Sequence, residues 1–308
     1  MMDREHKAAP FYNERRFSYC ADAEDQGTTV GQFLKKKGYS RQVVNLIKQT
    51  EGGLLCNGQE VYVNVRLRGG DLVETFLKEE VPQGIEPVKL PFPVVYEDED
   101  LMVVDKPADM PVHPSMKNYG NTLANAAAWY GASQGEPFVY RCVNRLDRDT
   151  TGLLILARNM LSSAALNGQM RRRQIHRTYL AVVTGTVSQA GTVRLPIGRK
   201  PGSAIERAVD PEHGEPAVTH YRPLRRGAGW TLVECVLETG RTHQIRVHMS
   251  ALGHPLAGDF LYGTREGGMP RQALHSWKLS FLHPVTGREM EFTSPIPEDM
   301  EHFMKERL

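Results

Sequence analysis

Apolar positions between Thr28 and Lys48 recur at helical spacing. Val30, Phe33 and Leu34 share one face behind Thr28 or Thr29, either of which can cap the first turn, and Gly38 can close it. Ser40 can cap a second helix with Val43, Val44 and Ile47 turned inward. The period then drops to two. In LLCNGQEV the pair Asn57-Gly58 separates two apolar stubs. A tight type I′ turn needs positive φ at both central positions, so this pattern predicts a hairpin. A further strand is predicted after Gly69-Gly70, from about Asp71 to Phe76. Residues 28–76 therefore read as one module of roughly 50 residues, small but of domain size.

Residues 1–27 lack such a pattern and are expected to be a poorly ordered leader. Residues 77–93 hold Pro82, Pro87, Pro91 and Pro93, which break helices and ladders, so an extended linker is predicted. From residue 94 to 308, strand-like runs dominate: VVYED, LMVVDK, LLILA, YLAVV, TLVECVLE and MEFTS. Helical patterns interrupt them. Asn121-Thr122 can start LANAAAWY, which Gly131 would close, and Asn159 can cap a helix that runs to the arginines near Arg172. Thr242 can cap HQIRVHMSAL, with Ile245, Met249 and Leu252 on one face and Gly253 as the stop. Strands broken by helices without regular alternation predict an α+β fold with a mixed, largely antiparallel sheet.

Composition adds bounds. Of 308 residues, 40% are hydrophobic and 24% charged, which supports a sizeable core and excludes wholesale disorder. The formal charge of +2 excludes a strongly polybasic or polyacidic chain. It hides a segregation. Residues 28–75 carry seven basic residues against four acidic, a balance of +3; residues 141–177 carry eight arginines against Asp147 and Asp149, a balance of +6; residues 79–109 carry two basic residues against nine acidic, a balance of −7. A basic helical module plus a basic stripe is the footprint of phosphate-backbone binding, with Lys35, Lys36, Lys37, Arg41 and Lys48 as its candidates in the module. The plainer reading of each cationic run is a solvated helix end. No apolar run approaches a membrane span, and the polar N-terminus holds no signal-peptide stretch. Cys20, Cys56, Cys142 and Cys235 are scattered without a CxxC pair, so reduced thiols in a cytoplasmic protein are expected, with no metal site. His243, His248 and His254 fit no simple helical ligand pair and are expected to be structural or phosphate-facing.

The stretch RCVNRLDRDTTGLLILAR, from Arg141 to Arg158, holds the most chemistry. Asp147 lies between Arg145 and Arg148 in a polar loop that feeds an apolar strand, where a rigid element can hold a reactive group. Flanking cations favour its ionised form, which can serve as nucleophile or general base. Spacing alone favours a structural aspartate that caps the turn and pairs with an arginine.

NRLDRDTTGLLILAR resembles the signature of the RluA-type pseudouridine synthases. RTYLAVV around Tyr179, LETGRTHQIRVHMSALGHPLAGDFLYG (Leu237 to Gly263) and ALHSWKLSFLHPVTG (Ala273 to Gly287) resemble that family's later blocks, in order. Residues 28–76 resemble the small RNA-binding domain of ribosomal small-subunit protein S4. The resemblance implies that Asp147 is the catalytic aspartate, Tyr179 stacks on the target base, Arg246 pairs with the aspartate, and Arg145 fills the gap left by a flipped nucleotide. Asn144 stands where the family often has His, and a neutral amide cannot relay protons as imidazole does. The implied reaction breaks the ribose bond to uracil N1, turns the base and rejoins it through C5. It is redox-neutral, so no cofactor or metal is expected, and the chain has no GxGxxG, no GxxxxGK and no HExxH. Covalent addition and 2′ deprotonation by Asp147 both remain open. The implied partner is structured RNA, large-subunit ribosomal RNA favoured over transfer RNA, with no membrane and a monomeric protein. The competing readings are a noncatalytic RNA-binding or ribosome-assembly factor of the same fold, and an aspartate-dependent nucleoside hydrolase.

Overall fold

A computed structural model of the chain describes residues 11–116, 118–263 and 268–308. The N-terminal module opens with strand β1 (Tyr12–Cys20), then helices α1 (Val30–Lys36) and α2 (Arg41–Gln49) and strands β2 (Leu54–Cys56), β3 (Gln59–Glu60) and β4 (Leu72–Glu80). Thr29 caps α1 through a reciprocal bond with Gln32, and Ser40 caps α2, as the helical spacing predicts. Asn57 and Gly58 both have positive φ, 52° and 77°, so the hairpin takes the expected turn.

The boundaries need correction at both ends of the module. Part of the expected leader is ordered strand: all nine residues of β1 pair antiparallel with β4. Its inward residues Asn13 and Arg15 are polar because they face the second domain, which is why the strand carries no apolar alternation. Residues 1–10 of that leader lie outside the described residues. The strand β4 also runs on to Glu80, into the expected linker.

The second domain contains β5 (Val94–Glu97), β6 (Leu101–Lys106), α3 (Leu123–Ser133), β7 (Arg141–Cys142), β8 (Thr151–Ala157), α4 (Met160–Arg171) and β9 (His176–Thr184). There follow β10 (Gly191–Val193), β11 (Ile197–Arg199), β12 (Arg207–Val209), β13 (Thr219–Gly227), β14 (Trp230–Leu237), α5 (Gln244–Ala251), β15 (Leu274–Leu282), β16 (Glu289–Thr293) and α6 (Glu298–Arg307). Its main sheet runs β10-β13-β14-β9-β15-β8-β6-β5, with β16 beside β15 and β7 beside β8. Among the described residues, β8 and β15 form its one parallel pairing. The architecture is the expected α+β with a mixed, largely antiparallel sheet.

The central strands are buried on both faces. Leu154 and Leu156 of β8 join Met102 and Val104 of β6 in one core, under α3 and α5. Leu153, Ile155 and Ala157 join Leu101 and Val103 in another, under α4. Two-sided burial explains why LLILA and LMVVDK are continuous apolar runs rather than alternating ones. At the start of β8, Gly152 has φ +109°, and a Cβ there would lie 2.3 Å from the Ser276 carbonyl oxygen of β15. Only glycine lets the strand enter the sheet this closely after the Asp147 loop.

Two helix ends differ from expectation. Residue Gly131 does not close α3, which runs to Ser133. Thr242 does not cap α5; His243 holds that position with φ 58° and no side-chain cap.

The module docks against the second domain. Leu161 of α4 enters the module's core. Arg15 donates to both oxygens of Asp100 at 3.2 and 3.1 Å, Asn13 donates to the Arg158 carbonyl, and Arg141 pairs with buried Glu79 at 3.0 Å. Three of the nine acids of the acidic segment are spent on the basic stripe: Glu79 on Arg141, Glu97 on Arg158, Asp109 on Arg148.

Candidate active site

Four residues singled out in the sequence, Arg145, Asp147, Tyr179 and Arg246, line one cavity of about 220 Å³. Three segments of the second domain build it. Asp147 sits on the loop that enters β8. Tyr179 sits mid-way along β9, separated from β8 by β15. Arg246 sits in the first turn of α5.

The Asp147 carboxylate is partly exposed and accepts Arg246 Nη1 at 3.0 Å. Arg246 is almost fully buried, and its other two nitrogens fork onto Asp259, Nε at 2.7 Å and Nη2 at 2.8 Å. Asp259 is fully buried and also accepts the main-chain amides of Leu261 and Tyr262. Burial disfavours the Arg246 cation, but the bond to Asp259 and the charges of Asp147 and Asp259 outweigh it and raise its pKa further. A guanidinium held this way keeps a fixed positive charge beside Asp147.

His243 also reaches the site. Its Nε2 lies 3.8 Å from Asp147 Oδ2, and its Nδ1 lies 2.8 Å from the Tyr262 hydroxyl. That hydroxyl also accepts the Arg207 amide at 2.7 Å. Burial pushes the imidazole pKa down, toward the neutral form. The left-handed backbone of a non-glycine residue here is the kind of strain that collects at functional sites. His248 and His254 are structural, bonded to Thr219 and the Leu195 carbonyl and to the Thr184 carbonyl.

Tyr179 is 4% exposed, its backbone paired with Cys235 of β14 and Ser276 of β15. Burial raises its phenol, which stays neutral. The side chain of Arg145 is exposed at the rim. Asn144 is buried: its oxygen accepts the Ile155 amide at 2.9 Å and its nitrogen donates to the Leu153 carbonyl. The departure from His at this position ties the Asp147 loop to β8, and its amide is spent on the backbone.

Lys106 supports the loop from behind. Fully buried, it donates to the carbonyls of Pro107, Met110 and Arg148 at 2.7, 2.9 and 2.8 Å. Arg148 directly follows Asp147, so the clamp fixes the loop's path.

The module's cationic candidates lie away from this cavity. Lys35, Arg41 and Lys48 are exposed, Lys36 pairs with buried Asp25 at 3.0 Å, and Lys37 lies over the rings of Tyr19 and Phe33. The sequence did not single out Asp259, Tyr262 or Lys106, and it gave His243 only as structural or phosphate-facing, whereas the ring lies beside Asp147. His243, Asp259 and Tyr262 belong to the blocks around GRTHQIR and GDFLYG, and Lys106 ends the strand-like run LMVVDK.

The profile of a family described as RNA pseudouridylate synthase matches residues 100–251. A Bacillus subtilis (strain 168) protein described as an uncharacterized RNA pseudouridine synthase, YjbO, is 40% identical over 279 residues, covering 90% of this chain and 98% of its own. The chain belongs to the RluA-type RNA pseudouridine synthases. Ribosomal large subunit pseudouridine synthase D of Xanthomonas campestris pv. campestris is 40% identical to this synthase over 267 residues, covering 82% of this chain and 80% of its own. Among solved structures, human RNA pseudouridylate synthase domain containing 1 matches with a TM-score of 0.57 at 28% identity, covering 68% of this chain and 86% of that one. No helix among the synthase's described residues is long and apolar enough to cross a membrane.

Proposed function

We propose that this synthase isomerises uridine to pseudouridine in large-subunit ribosomal RNA in the cytoplasm, with Asp147 as the catalytic carboxylate. The observation that carries the reading is the Asp147–Arg246–Asp259 chain at the cavity floor. A carboxylate held at 3.0 Å from a fixed guanidinium is aimed into the cavity, as attack on the ribose or removal of its 2′ proton requires. The target uridine is flipped from its helix at a cost of a few kcal/mol, Tyr179 packs on its face, and Arg145 at the rim replaces it in the stack. The glycosidic bond to N1 breaks, the base turns, C5 bonds to C1′, and the C5 proton leaves as N1 gains one. The N-terminal module, read as S4-like, grips structured RNA through Lys35, Lys37, Arg41 and Lys48. The large-subunit target is supported by the relative from Xanthomonas campestris, a ribosomal large subunit pseudouridine synthase D.

The test offers purified protein unmodified transcripts of large-subunit ribosomal RNA and of transfer RNAs, read by carbodiimide-primer extension. New stops in the ribosomal transcript are expected. Stops confined to transfer RNA would move the target. No stops in either, with altered ribosome profiles in a deletion strain, would favour the noncatalytic assembly factor. Free uracil released from nucleosides would favour the hydrolase.

A further inference from the structure

Eight arginines make up the basic stripe between residues 141 and 177. The described residues give carboxylate partners to Arg141, Arg148, Arg158 and Arg173. Arg145, Arg171 and Arg172 have none and are exposed, where water solvates them. Arg177 is different. It is 6% exposed, and among the described residues it makes no side-chain hydrogen bond and no ion pair. Its Nε is fully buried and without an acceptor.

A buried cation without a counter-charge is costly, and native structures rarely keep one without a use. The position of Arg177 gives it one. It stands two residues before Tyr179 on β9, and side chains two apart on a strand share a face. Both line the same cavity, together with Gly240 and Arg241 from the loop before α5. Space for its guanidinium is kept by a missing side chain: a Cβ on Gly240 would lie 2.8 Å from Arg177 Nη1.

We propose that Arg177 binds a phosphodiester flanking the flipped uridine, and so sets the depth to which the nucleotide enters beside Asp147. The inference rests on the catalytic reading above. A uracil carbonyl would satisfy one N–H but leave the charge uncompensated. A phosphodiester supplies one negative charge and two oxygens in the spacing a guanidinium fork matches. Pre-positioning the fork in the cavity wall lets it discriminate against an unflipped strand, whose phosphates stay outside the cavity.

The test compares wild type with Arg177→Gln, Arg177→Lys and Gly240→Ala on the unmodified large-subunit transcript. Arg177→Gln is expected to raise KM by about 10- to 100-fold, the worth of one charge-assisted bond. The slope of log affinity against log salt is expected to shrink by about 0.7 to 0.9, the share of one phosphate. Arg177→Lys keeps the slope and recovers part of the KM. Gly240→Ala, which keeps the charge but displaces it, raises KM at a melting temperature near wild type. A synthetic stem-loop around the mapped uridine, with a neutral methylphosphonate at one flank, then costs wild type about as much as the Gln variant loses and costs the Gln variant little. An unchanged salt slope, or a methylphosphonate penalty equal in both proteins at each flank, overturns the proposal in favour of a uracil contact. Should Arg177→Gln fail to fold, wild-type KM for Gly240→Ala overturns it. Binding is read whether or not the RNA is turned over, so a failure of the catalytic reading shows separately, as binding without pseudouridine.

Discussion

Arg246 holds two carboxylates at once: it forks onto buried Asp259 and gives its remaining nitrogen to Asp147 at 3.0 Å. Asp259 does not itself line the cavity and acts through Arg246, so it is a positioning residue. Asp259→Asn is predicted to lower kcat by about 10²-fold, the cost of a misplaced group, with KM little changed. Asp259→Ala breaks a buried pair and is predicted to cost about 3–5 kcal/mol of stability as well. Arg246→Lys should resemble the Asn variant, since an ammonium cannot make the fork. Steady-state kinetics with parallel melts separate the two effects. A rise in KM with unchanged kcat would place Asp259 in binding instead.

Asn144 is predicted to matter for stability and not for proton transfer. Asn144→Ala orphans the buried Ile155 amide and is expected to cost about 1–3 kcal/mol, with the pH profile of kcat unmoved. A lost limb in that profile would give Asn144 a part in the chemistry.

The loop clamp predicts a pH effect. Burial pushes Lys106 down to about 7, against the pull of Asp149 and Asp147. The folded value lies below the ordinary 10.5, so between the two the unfolded chain binds more protons and stability rises with pH. Relative to Lys106→Met, wild type should gain up to about 4 kcal/mol from pH 7 to pH 10, read by denaturant melts. Parallel curves for the two proteins would mean that the three carbonyls keep the ammonium charged.

Docking of the N-terminal module predicts coupled unfolding. Leu161 is a second-domain side chain in the module's core, so Leu161→Ala should cost about 2–5 kcal/mol and loosen both parts. Hydrogen exchange should rise in β1 and β4 as well as in α4. Exchange confined to α4 would show the module holding itself.

Much of this was legible in the sequence, and the failures have causes. Helices α1 and α2 and the Asn57-Gly58 turn depend on local spacing and caps, which a sequence carries directly. Strand β1 was invisible because Asn13 and Arg15 satisfy polar partners in another domain. The Thr242 cap failed because His243 takes a left-handed backbone to reach Asp147 and Tyr262, a tertiary demand that overrides local preference. Asp147 and Arg246 could be named from their motifs, yet Asp259 lies 13 residues beyond Arg246 and only the fold brings it back. The charge map misled in part, because the acidic segment folds onto the basic stripe and neutralises three of its eight arginines.

The central claim is tested most directly by Asp147→Asn, a near-isosteric change that removes the carboxylate and keeps the loop. The measurement is tritium release from a 5-tritiated uridine transcript of large-subunit ribosomal RNA, alongside carbodiimide-primer extension of the same RNA. Release should fall to background and every new stop should vanish, while RNA binding persists. Wild-type release and an unchanged pattern of stops from Asp147→Asn would contradict the account.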